Sequence, residues 1–96
     1  MKRDDIIEAL RLFKKSNQQR YRIEKIGIFG SSSRDHMTAK SDIDVVVVLE
    51  KQDLFNLIGI KQDLEEQLGV AVDVVSYREK MNDYLKSKIE EEALYA

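Results

Sequence analysis

Gly30-Ser31-Ser32-Ser33-Arg34-Asp35-His36-Met37-Thr38-Ala39-Lys40-Ser41-Asp42-Ile43-Asp44-Val45-Val46-Val47-Val48-Leu49 holds the densest structural information in this chain. Its second half reads as a strand from Asp42 to Leu49. Four consecutive β-branched residues, Val45 to Val48, are expected where a strand is covered on both faces. Its first half reads as a tight turn or the first turn of a short helix, Ser31 to Arg34, and an exposed loop, Asp35 to Lys40. Before Gly30, Ile23 to Phe29 is rich in β-branched and aromatic residues and reads as another strand.

Helical patterns flank this pair. Ile6, Ile7, Leu10 and Phe13 recur at helical spacing, with Asp4 and Asp5 in the first turn, Lys14 and Lys15 near the end, and a polar exit at residues 16–19. Beyond the second strand, Asp53 is a suitable N-cap, and Leu54, Leu57, Ile58, Leu64 and Leu68 keep helical spacing up to a stop at Gly69. Val70 to Ser76 reads as a third strand, and Met81, Tyr84, Leu85 and Ile89 mark a last helix. The expected order is α-β-β-α-β-α. A helix joins strands two and three, so they should be parallel, while strands one and two can be antiparallel. The fold class expected is α/β (α+β), a small mixed sheet of about three strands flanked by helices.

Composition narrows the chemistry. The 96 residues and 11.2 kDa suit one domain, spanning 1–96. There is no cysteine, so disulfides, thiol catalysis and thiolate zinc sites are excluded. A lone histidine, His36, leaves no imidazole cage. Sixteen basic and 18 acidic residues give a net charge of −2, which argues against a broad nucleic-acid surface. No apolar run approaches a membrane span, and Met1 to Asp5 lacks an apolar signal core; a cytoplasmic protein is expected.

Asp42 and Asp44 are two apart on a strand and point to one face. Asp73 holds a similar place on the neighbouring parallel strand and can stand beside them, adjacent strands being about 4.8 Å apart. Two like charges about 5 Å apart repel by about 3 kcal/mol at an effective dielectric near 20. Either one carboxylate takes a proton or a divalent cation sits among them. Oxygen donors without imidazole or thiolate favour Mg2+ or Mn2+, and a pair of such ions is the usual clamp for displacement at phosphorus. Aspartate is depleted in strand interiors, so a single Asp such as Asp42 can equally mark an ordinary strand start. Gly30 lets backbone approach a ligand, Ser31 offers a hydroxyl donor and Arg34 a fork of donors for phosphate oxygens. The turn lacks the lysine of a P-loop.

Gly30-Ser31, ten intervening residues, and Asp42-Ile43-Asp44 resemble the signature of the DNA polymerase β-type nucleotidyltransferase superfamily. With Ser31-Ser32-Ser33-Arg34 and Val72-Asp73-Val74-Val75, the chain resembles its minimal nucleotidyltransferase (MNT) branch over nearly its whole length. Asp35 departs from the glycine that often follows the arginine. The resemblance implies an antitoxin-like partner of a HEPN-type toxin that transfers AMP from ATP to a toxin tyrosine and releases pyrophosphate. It implies that Asp42 and Asp44 hold two metal ions and that Asp73 completes the one activating the attacking hydroxyl. It further implies that Ser31 and the Gly30 backbone hold the β- and γ-phosphates, with Arg34 as a further phosphate contact. Two rivals remain open at this point. One is transfer to a small molecule, for which larger relatives carry an additional domain. The other is a binding module that neutralises its partner by occlusion. Tyr84, Leu85, Ile89, Leu94 and Tyr95 could supply its contact surface, but their spacing favours core.

Overall fold

Helices pack on both faces of a four-stranded mixed sheet. The computed structural model describes residues 2–30 and 43–96. In chain order the elements are α1 (Arg3–Tyr21), β1 (Ile23–Phe29), β2 (Ile43–Leu49), α2 (Leu54–Leu68), β3 (Val72–Ser76), α3 (Asp83–Glu92) and β4 (Leu94–Tyr95). The sheet runs β3-β2-β1-β4. β1 pairs antiparallel with β2, and β2 pairs parallel with β3 through the α2 crossover, as the sequence implies.

Alternation along the strands sorts their side chains into two layers. Ile43, Val45, Val47 and Leu49 of β2, with Ile26 and Ile28 of β1, are buried against Ile6, Leu10 and Phe13 of α1 and Ile60 and Leu64 of α2. On the opposite face Phe29 and Val46 pack under Ile89 of α3, with Val75, Tyr77 and Leu85 around them. Asp53 caps α2 by accepting from the backbone N–H groups of Phe55 and Asn56, and Gly69 ends it in the left-handed region. At the far end of that crossover Glu65 accepts from the Val72 N–H at 3.0 Å, while Lys61 bridges Glu65 and the Val72 carbonyl. This clamp ties the start of β3 to α2, and it holds the Glu65 carboxyl below its ordinary pKa, chiefly through the Lys61 contact.

Four features depart from the sequence expectation. α1 does not exit at residues 16–19 but continues to Tyr21, whose ring stacks on Phe13 and packs over Gly59 while its hydroxyl bonds Asp63. Tertiary burial overrides the polar composition of that last turn. The sheet has a fourth strand, a two-residue edge in which Gly27 faces Tyr95 and Ile28 faces Leu94. A Cβ on Gly27 would stand 2.5 Å from the Leu94 carbonyl oxygen, so glycine is what admits β4. On α2, Leu54 and Ile58 are exposed, and the buried positions are Ile60 and Leu64. Of the five apolar residues expected as core near the C-terminus, Ile89 is fully buried and Leu85 half-buried, whereas Tyr84, Leu94 and Tyr95 are exposed.

Candidate functional site

The strand register builds the site at the edge where β1 ends and β2 and β3 begin. Asp44 is opposite Phe29 on one side and opposite Asp73 on the other. Residues in register on neighbouring strands project to the same face. Both carboxylates therefore lie on the α3 face, two residues before the Val46–Val75 floor on which Ile89 rests. Asp44 is half-buried and Asp73 exposed. Asp42, Ser31 and Arg34 fall outside the described residues. Among the described residues, no three acidic or histidine side chains form a metal-ligating group.

Gly30 closes the site from β1. Its φ of 67° is in the left-handed region that glycine adopts without strain. A Cβ there would stand 2.5 Å from Oδ2 of Asp44, so position 30 brings bare backbone against that carboxylate. Its N–H donates to Oε2 of Glu92, the last residue of α3, at 3.0 Å. Sequence reasoning missed Glu92. The signal available was Glu90-Glu91-Glu92 at the end of a helix, where the dipole disfavours carboxylates. Glu92 also lines, with Tyr84, Ser87, Lys88 and Glu91, an open cleft of about 490 Å³ along α3.

The nucleotidyltransferase domain family matches residues 10–96. MJ0128 of Methanocaldococcus jannaschii, a candidate protein adenylyltransferase, is 37% identical over 92 residues, covering 95% of this chain and 94% of the relative. The solved structure of a candidate minimal nucleotidyltransferase superposes with a TM-score of 0.79 at 30% identity, covering 98% of this chain and 95% of the other. The complex of a tri-AMPylated Shewanella oneidensis HEPN toxin with an MNT antitoxin contains a chain of the same fold, with a TM-score of 0.63 at 24% identity. That match covers 97% of this chain and 66% of the other.

Proposed function

The chain belongs to the nucleotidyltransferase domain family, and from that premise we propose that it transfers AMP from ATP to a hydroxyl of a partner protein, a tyrosine of a HEPN-type toxin for which it serves as antitoxin. The observation that carries this reading is the in-register pair Asp44–Asp73 with the Gly30 backbone set against Asp44. The adenylyltransferase relative, matched over nearly its full length, supports the nucleotide. The fold shared with a chain of the Shewanella toxin–antitoxin complex supports the class of partner.

The donor set suits a hard divalent cation, because β2 and β3 bring only carboxylate oxygens to this place. Asp42, Asp44 and Asp73 would hold two Mg2+ or Mn2+ ions, whose charge lowers the pKa of an attacking hydroxyl and offsets that of the leaving pyrophosphate. The chain's own backbone does the rest. Gly30 offers an N–H to a β- or γ-phosphate oxygen, and Ser31 and Arg34 follow it with a hydroxyl and a guanidinium. With the triphosphate held there, the acceptor oxygen bonds to the α-phosphorus. The α–β phosphoanhydride bond breaks, the hydroxyl proton leaves to water and pyrophosphate departs. Fixed geometry and fixed charge suffice for this displacement, so no histidine base is needed.

The test is intact-mass measurement of the genomic neighbour after incubation with this protein, ATP and Mg2+ or Mn2+. Covalent AMP with wild type, absent with Asp42→Ala/Asp44→Ala, supports the proposal. Neutralisation that persists in the double variant with no mass shift assigns the chain to the binding modules.

A further inference from the structure

We propose that Glu92 is an intramolecular stand-in for phosphate, holding the Gly30 N–H until the nucleotide's triphosphate displaces it, and that it thereby sets nucleotide affinity. The inference rests on the reading of Gly30 as a phosphate donor.

Three observations converge on Glu92. The first is the hydrogen bond itself, which joins residues 62 apart in sequence. An anionic oxygen already occupies the donor that a phosphate oxygen needs, and a single N–H cannot serve both at 3 Å. The second is placement. Glu90, Glu91 and Glu92 end α3 with no basic residue in the last turn, against the helix dipole. A sequence that breaks a local rule does so most often at a functional site, and for Glu92 the charge-assisted bond to Gly30 offsets the unfavourable position. The third is confinement. Gly30 has the Asp44 carboxylate where its side chain would be and the Glu92 carboxylate on its N–H, so incoming phosphate meets acidic groups on two sides.

Displacement has somewhere to send the side chain. Lys88, half-buried, lies one helical turn before Glu92 and lines the same cleft. Residues four apart on a helix face each other, so the released carboxylate can pair with the Lys88 ammonium. The exchange swaps a backbone donor for an ammonium and leaves the N–H for the nucleotide.

A site that is blocked part of the time has its apparent affinity reduced by the fraction open, so removing the block tightens binding by the same factor. The experiment is titration calorimetry of the full chain with a non-hydrolysable ATP analogue, and separately with inorganic triphosphate, in Mg2+. Glu92→Ala should tighten both ligands about fivefold. Glu92→Gln, which keeps an acceptor but loses the charge, should shift in the same direction by less and guards against a folding defect in the alanine variant. Unchanged or weaker binding in both variants, with wild type binding normally, overturns the role of Glu92 and leaves the nucleotidyl-transfer reading intact. Absence of binding of either ligand to wild type overturns the phosphate role of Gly30, and the inference with it.

Discussion

The two faces of the sheet use the same strand alternation to opposite ends. On the face under α1 and α2, every inward residue of β2 from Ile43 to Leu49 is apolar and buried. On the face under α3 the apolar floor is short: Phe29, Val46 and Ile89 are buried, and one step toward the strand starts it gives way to Asp44 and Asp73. One residue of offset along β2 thus separates a dry core from a pair of carboxylates. Stability should therefore be lost from one face and activity from the other, by substitutions in adjacent positions of the same strands.

Asp44→Asn makes the sharpest test of that separation. Nucleotidyl transfer should fall by about a thousandfold or more, because the carboxylate proposed to hold the metal ions loses its charge. The melting temperature in EDTA should equal or exceed that of wild type, since relieving like-charge repulsion does not destabilise the metal-free protein. A collapse in melting temperature would instead show a structural Asp and break the contrast. On the opposite face, Ile26→Ala should cost about 3 kcal/mol in urea unfolding through the cavity it leaves. The protein that remains folded should keep wild-type specific activity. Loss of activity in proportion greater than loss of folded protein would mean that the two faces are not independent.

Gly30→Ala probes the border between them. The left-handed φ and the 2.5 Å approach to Asp44 Oδ2 leave no room for a methyl group. Stability should fall by about 1 kcal/mol, while turnover falls about tenfold as the carboxylate is pushed aside. Equal, small effects on both would show that the close approach has no catalytic consequence. The smallest effect belongs to the clamp at the other side of β3. Glu65 has its carboxyl pKa lowered from 4.5 by Lys61 and the Val72 N–H. A depressed folded-state value means that its stabilisation is present above 4.5 and is lost as pH falls through the lower, folded value. Urea midpoints of wild type and Glu65→Gln should differ modestly at neutral pH and converge in acid. A gap that widens on acidification contradicts the clamp.

Much of this architecture is legible in the residues themselves. β1 and β2 declare themselves through β-branched composition, and Asp53 and Gly69 mark the ends of α2 by cap chemistry that acts locally. The proximity of Asp44 and Asp73 follows because each comes one residue after the start of its strand. What escaped depends on partners distant in sequence. Tyr21 extends α1 because it packs over Gly59, and β4 exists because Gly27 carries no side chain. Helical spacing alone could not rank Ile60 above Leu54 or Ile58, since several apolar registers compete on α2. Glu92 reaches the site through a bond across 62 residues; its acidic helix end marks the position as unusual but does not give its partner. Asp42, Ser31 and Arg34 lie outside the described residues, and the roles proposed for them rest on the motif resemblance alone.

The central claim is that the carboxylate end of the sheet moves an adenylyl group, and the position of the label in ATP tests it most directly. Partner protein incubated with this chain, Mg2+ and ATP labelled at the α-phosphorus should become labelled, with none transferred from γ-labelled ATP and none by Asp42→Ala/Asp44→Ala. Label arriving from the γ-position, or a partner neutralised without any label, would contradict it.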